Sequence, residues 1–438
     1  MKKLLALMLA GVLTLTACSS GGGGESAAEP SDGAASGGES AAATEITVWA
    51  WDKNFNIKAM EIAGEEYAKE NSNVKLDLIE SAQEDIVQKL NTSLSSGTTK
   101  GLPNIVLIED YRAPGFLQAY PDMFYDLTGK FAADEFAQYK LGPTSYEGKN
   151  YGIPFDTGVT GLFVRTDYLE QAGFTVEDLK DTDWDKFIEV GKAVKAATGK
   201  DMLTLDPSDL GIIRTMIQSA GSWFTKEDGV TPNLADNAAL KASFETYKKI
   251  IEADISKPVS DWSQFLAGFN SGDVASVPTG NWITASVKQE ASQSGKWAVV
   301  AQPRLPGMAE SVNASNLGGS SWYVLNVDGK EAAAEFLAKT YGSNVGMYQR
   351  FITEIGAIGT YQPASSGDAY QTADEFFGGQ QVLTDFTTWM EKIPQVNYGL
   401  HTYAISDILA VELQNYLQGK DLDQALADAQ AQAEMQLK

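Results

Sequence analysis

The chain has 438 residues, 43% of them hydrophobic, which is apolar material for more than one domain. A formal charge of −25 excludes the basic surface that nucleic-acid phosphates require and favours a neutral or cationic ligand. The single cysteine, Cys18, excludes an intrachain disulfide, and the single histidine, His401, excludes a His-cluster zinc site. In chain order, Lys2 and Lys3 first precede an apolar stretch from Leu4 to Leu15. This is the charged-then-apolar pattern of an export signal, too short for a stable membrane span. Residues 19–45 hold no Lys, Arg or large apolar side chain and cannot bury enough surface to fold. They predict a flexible tether with a reach of roughly 30 Å.

The folded part opens with strand and helix in alternation. Ile46-Thr47-Val48-Trp49 reads as a strand, and Ile57, Met60, Gly64 and Tyr67 fall on one helical face. Val74, Leu76 and Leu78 alternate as a second strand. Ser81 with Glu84 fits a capping box ahead of a helix through Ile86, Leu90 and Leu94. Ile105–Ile108 is a branched apolar run, as a buried parallel strand should be. This order predicts an open α/β sheet whose ligand site lies beyond the carboxyl ends of the strands. Those ends are Trp51-Asp52, Glu80 and Glu109-Asp110-Tyr111-Arg112. Further helices are predicted from Trp184, Phe187, Ile188 and Val194 to a stop near Gly199, and from Leu240, Phe244, Tyr247 and Ile251. Two more run through Ile405, Ile408, Leu409, Glu412 and Tyr416, and, after Asp421, through Leu422, Leu426, Ala429 and Ala433.

Catalytic and metal motifs are few. No nucleophile elbow, P-loop or dinucleotide fingerprint is present. Asp181-Thr182-Asp183-Trp184-Asp185 imitates the start of a calcium loop, but Lys186 stands where glycine is needed and Lys192 where the bidentate Glu belongs. It reads as an acid-rich helix start. What stands out is tryptophan beside glycine and polar residues: Trp51, Trp223, Trp282 and Trp322. Aromatic faces stack on the CH faces of sugar rings, while neighbouring Asp, Asn, Glu and Arg bond hydroxyls. Each tryptophan alone is equally a core residue at a bend; together they favour a carbohydrate cleft.

Leu15-Thr16-Ala17-Cys18 resembles a bacterial lipobox, which implies that residues 1–17 are removed and that Cys18 is lipidated at the head of an 18–44 linker. The rest resembles the family 1 extracellular solute-binding proteins, the maltose-binding type that feeds ABC transporters. Stretches that carry the resemblance include "ITVWAWDKNFNIKAMEIAGEEY" at 46–67, "LPNIVLIEDYRAPGFLQAYPDMFYDLT" at 102–128 and "YGIPFDTGVTGLFVRTDYLEQAGF" at 151–174. Later ones are "FLAGFNSGDVASVPTGNW" at 265–282, "GGSSWYVL" at 318–325 and "YLQGKDLDQALADAQAQ" at 416–432.

The resemblance implies a two-lobe, class II periplasmic-binding-protein-like α/β fold with ligand clamped between lobes. It places three crossings near Asp156–Gly161, Ser276–Gly280 and Gly318–Trp322. One lobe would then be 45–157 plus 279–319, the other 160–276 plus 322–438. It implies ligand contacts at Trp51, Asp52, Asn54, Glu80, Asp110, Arg112 and Asp156, and at Trp223, Asn281, Trp282, Ser321, Trp322, Tyr398 and Tyr403. Trp49 would pack while Trp51 stacks on ligand and Asp52 bonds hydroxyls. The implied function is capture of a carbohydrate, an oligosaccharide by the number of tryptophans, and delivery to a permease with a separate ATPase. No enzyme activity, cofactor, metal or nucleic acid is implied. The protein would be a monomer, lipid-anchored on the outer face of the cell membrane of a Gram-positive bacterium. Two other readings fit the same residues: a lipoprotein that binds a peptide or polyamine, and an extracellular glycoside-active enzyme using an acid pair.

Overall fold

The computed structural model describes residues 44–437. The export segment, Cys18 and nearly all of the linker lie outside the described residues. Strand β1 runs Thr44–Ala50 and buries Ile46, Val48 and Ala50. Helix α1, Lys58–Ala68, follows and buries Met60, Ile62 and Tyr67. Strand β2 is Val74–Glu80, helix α2 is Gln83–Ser95, and strand β3 is Ile105–Glu109. Helix α2 buries Ile86, Leu90 and Leu94 at the spacing of one helical face. The expected Ser81–Glu84 capping box does not form. The helix starts one residue later, after Ala82, and Ser81 Oγ accepts from Lys89 Nζ at 3.2 Å.

Five further strands complete two sheets: β4 Gly152–Pro154, β5 Thr160–Arg165, β6 Ser276–Gly280, β7 Trp297–Ala301 and β8 Ser320–Val324. The first sheet has the order β2-β1-β3-β8-β4, with β1 parallel to β2 and β3 and with β8 antiparallel to its neighbours. The second has β5 at its centre and β6 and β7 antiparallel on either side. Each sheet with its helices makes one lobe.

The pairing corrects the expected lobe boundaries. Residues 279–319 do not join the first lobe, because β6 and β7 both pair with β5. Residues from 322 onward do not pass at once to the second lobe, because β8 inserts between β3 and β4. Ser276–Gly280 is therefore an edge strand and not a crossing. The chain passes between sheets at 155–159 and at 318–319. It returns after Tyr361, which bridges Phe136, and before Phe376, whose carbonyl accepts from Gly295 N at 2.9 Å.

The first two passages run side by side. Leu317 N donates to Gly158 O at 2.8 Å, and Thr160 N donates to Ser315 O at 2.9 Å. A Cβ at position 158 would sit 2.2 Å from Leu317 O, so only glycine fits this close approach.

Helices α3 Trp184–Thr198, α4 Gly211–Ser219, α5 Ala238–Glu252 and α6 Trp262–Asn270 follow β5. The Asp181–Asp185 run serves as a helix start: the Asp183 carboxylate accepts from Lys186 N at 3.0 Å and caps α3, which Gly199 closes at φ 72°. In α5 the buried residue is Ile250; Ile251 is 40% exposed, one position off the expected face. Helix α7, Val345–Ile355, follows β8 in the first lobe, where Arg350 bridges Glu65 and Glu66 of α1 at 2.6 and 2.8 Å. The C-terminal helices α8, Thr402–Leu417, and α9, Leu422–Gln436, bury Ile405, Leu409, Leu426 and Ala429 in the second-lobe core. Asp421 caps α9 by accepting from Gln424 N at 3.0 Å. No helix among the described residues is long and apolar enough to cross a membrane.

Candidate functional site

At the boundary of the two lobes lies a cavity of about 460 Å³. From the first lobe it receives Glu109 and Tyr111, at and just past the end of β3. The second lobe contributes Asp206, Asp209 and Arg214, Asp261 with Trp262 and Phe265, Trp282 after β6, and Tyr403 in the first turn of α8.

The aromatic wall follows from local capping. Asp261 accepts from Gln264 N at 2.8 Å and starts α6, which sets Trp262 at the first helical position and 53% exposed. Trp282, 37% exposed, sits in a short 3-10 turn and is held by its Nε1 donating to Leu317 O at 2.9 Å. The two indoles lie 5.8 Å apart, and Trp262 stacks on Phe265 at 5.2 Å. Exposed indoles side by side in a concavity form a shelf that awaits an apolar face.

The polar wall faces this shelf. Glu109 accepts from the Tyr403 hydroxyl at 2.7 and 2.8 Å and from Gln83 Nε2 at 3.3 Å, with Arg112 Nε 3.4 Å away. Burial pushes the Glu109 carboxyl pKa up, against the pull of Tyr403 and the two arginines, Arg112 and Arg214. The Arg112 guanidinium lies over the Tyr403 ring at 4.3 Å. Arg214 donates to Asp209 at 3.2 Å and to Ser406 Oγ at 3.4 Å. Acids outnumber cations, which suits hydroxyl donors better than an anionic ligand.

Of the residues expected at the site, the structure brings Trp282 and Tyr403 to this cavity. Arg112, Tyr403 and His401 line an adjoining cavity of about 540 Å³. Asn281 lines a third beside Trp282. Trp51 is half-buried against the first-lobe core. Asp52, at φ 60°, accepts from the amides of Asn54 and Phe55 and so starts the next turn. Asn54 and Glu80 are exposed, and none of these four lines the cavity.

Six of the residues expected at the site do not line this cavity and have side chains engaged internally. Trp223 is 3% exposed, and its Nε1 donates to Tyr398 O and Thr402 Oγ1 at 3.1 Å. The Tyr398 hydroxyl accepts from Gln218 and Asn316 at 3.1 and 3.2 Å. Trp322 is fully buried on β8 between Phe155 and Tyr341. Ser321 donates to Asp110 at 2.9 Å, and Asp156 accepts from Ser320 N and Oγ at 2.7 and 2.8 Å. Asp110 pairs with the fully buried Lys140, whose Nζ also donates to Asp156 O at 2.8 Å and Ser320 O at 2.9 Å. Burial raises the Asp110 carboxyl to about 6. The glycines near Asp156 and Ser320 lie in the inter-lobe passages.

Sequence reasoning missed Trp262, Asp261, Asp206, Asp209 and Arg214, and it named Glu109 only as part of a strand end. One signal was available: Asp261 caps α6 and puts Trp262 off the buried face carried by Gly268 and Phe269.

A family model described as bacterial extracellular solute-binding protein matches residues 63–378. A lactose-binding protein of Rhizobium radiobacter is 45% identical over 398 residues, covering 91% of this chain and 94% of its own. An arabinooligosaccharide-binding protein of Bacillus subtilis is 28% identical over 315 residues, 69% of this chain and 70% of its own. Among solved structures, the galacto-N-biose-/lacto-N-biose I-binding protein of the ABC transporter from Bifidobacterium longum superposes with a TM-score of 0.72 at 20% identity. It covers 90% of this chain and 97% of that one. The GacH receptor of Streptomyces glaucescens gives 0.73 at 17% identity, covering 90% and 98%. These two likenesses establish the two-lobe fold.

Proposed function

The chain belongs to the bacterial extracellular solute-binding proteins, and on that footing we propose that it captures a carbohydrate between its lobes and delivers it to an ABC importer. As a member of that family it works outside the cytoplasm. The observation that carries the carbohydrate reading is the pairing of the exposed Trp262–Trp282 shelf with Glu109, Asp206, Asp209 and Arg214 in one inter-lobe cavity. Indole faces take the CH face of a sugar ring, and carboxylates and guanidinium take its hydroxyls. The lactose- and arabinooligosaccharide-binding relatives support a ligand of two or more sugar units.

The mechanism is binding without bond breaking. Ligand touches Glu109 from one lobe and the tryptophans from the other, so it stabilises the closed form over the open form. The closed shape docks on permease subunits served by a separate ATPase. In this reading Cys18 carries lipid, the linker tethers the lobes to the membrane surface, and the protein acts as a monomer.

A thermal-shift screen of the chain against lactose, other di- and oligosaccharides, peptides and polyamines tests the reading. A sugar at a hundred times its Kd should add about 2.7 kcal/mol of stability, and the sugar should be recovered intact. The acid excess gives a cationic solute a specific claim; a shift with polyamines and none with sugars would replace the carbohydrate reading.

A further inference from the structure

We propose that the site has a second, apolar compartment beyond Trp282 that holds an aromatic aglycone, so that the protein takes aryl glycosides more tightly than the free sugar. The inference rests on the carbohydrate reading above. A separate cavity of about 530 Å³ lies at the same lobe boundary. Phe55, Ile352 and Ile355 reach it from the first lobe, and Trp282 and Leu383 from the second. Trp282 is thus a wall of both cavities.

The two compartments differ in chemistry. The first is set with carboxylates around its aromatic shelf. The second is lined by Phe55, Trp282, Ile352, Ile355, Val382 and Leu383, together with the charged Lys288, Glu354, Asp374 and Glu375. Lys288 and Asp374 are paired with each other at 2.7 Å. Asn281 is 6% exposed, lines this cavity, and has an Oδ1 without a hydrogen-bond partner. Phe55, Trp282, Ile352, Ile355 and Leu383 offer a sugar's hydroxyls no partner, so only part of this lining could serve a further sugar unit. A planar apolar ring meets Phe55 and Trp282 instead, and a phenolic or amide donor on it would satisfy Asn281.

Titration calorimetry on the full chain decides this, using lactose, cellobiose and maltose, each beside its methyl and its 4-nitrophenyl β-glycoside. The proposal expects the nitrophenyl glycoside of a bound sugar to bind at least about tenfold tighter than the methyl glycoside. Ile355→Gln and Leu383→Gln, one on each lobe and both only half-buried, should abolish that gain and leave the free-sugar affinity unchanged. Equal affinity for the two glycosides, or a gain that survives both substitutions, overturns the compartment while the carbohydrate reading stands. Silence from every sugar and every glycoside overturns both.

Discussion

The hydroxyl of Tyr403 donates to the carboxylate of Glu109 at 2.7 Å, and that bond joins the two lobes. Glu109 ends β3 of the first lobe, and Tyr403 lies in the first turn of α8 of the second. Arg112 covers the Tyr403 ring, so the contact is also packed. The lobes therefore touch through a polar group that also lines the proposed ligand cavity.

Tyr403→Phe keeps the ring and its arginine and removes only the donor. A hydrogen bond to a charged group contributes about 1.5–3 kcal/mol, so the variant should lose stability within that range by chemical denaturation. Small-angle scattering of the ligand-free variant should show a larger radius of gyration than wild type. An unchanged radius would mean that the contact does not hold the lobes together.

The tryptophans divide into two classes. Trp262→Ala, at a side chain 53% exposed, should leave stability within about 0.5 kcal/mol and weaken sugar binding at least about tenfold. Trp322→Ala empties a fully buried site and should cost about 3–5 kcal/mol of folding stability. Denaturation and calorimetry on both variants check the division; a stable Trp322→Ala that loses only sugar would reverse it.

Lys140 is fully buried and ties Asp110 to the backbone of Asp156 and Ser320, which flank two of the inter-lobe passages. Asp110→Asn removes a carboxyl that accepts from both Lys140 and Ser321 and should cost about 1–3 kcal/mol, measured by denaturant midpoint. No loss of stability would show that these hydrogen bonds do not hold the junction.

The same pair carries a pH signature. Burial raises the Asp110 carboxyl from 3.8 to about 6 in the folded protein. Between those values the native state holds the proton more tightly than the unfolded chain, so this group's contribution to stability falls as pH rises from about 4 to 6. Burial shifts Asp156 and Glu109 in the same direction. Exposed carboxylates held down by partners, such as Asp228 and Asp178, act in the opposite sense. The signature is therefore the difference between wild type and Asp110→Asn: their stability gap should narrow as pH rises through that window. Parallel curves would contradict the assignment.

The elements were legible in the sequence because their periods are local. Ile46 and Val48 alternate, Ile86, Leu90 and Leu94 repeat on one helical face, and Asp183 and Asp421 cap as their positions require. The site was less legible because its residues are chosen by facing, which tertiary structure decides. Glu109 and Asp110 are neighbours at a strand end, yet one lines the cavity and the other turns inward to Lys140. Trp282 and Trp322 both follow glycine-bearing stretches, yet Trp322 sits on a strand buried along its whole length. Lys140 has no local signal, since its partners come from passages far along the chain.

The central claim is that a sugar binds on the Trp262–Trp282 shelf. Titration calorimetry of wild type and Trp282→Ala with the sugar that gives the largest thermal shift tests it most directly. The account predicts saturable one-site binding in wild type and an affinity at least about tenfold lower in the variant, with the fold intact by circular dichroism. Equal affinity in the two proteins would place the sugar elsewhere and contradict the account.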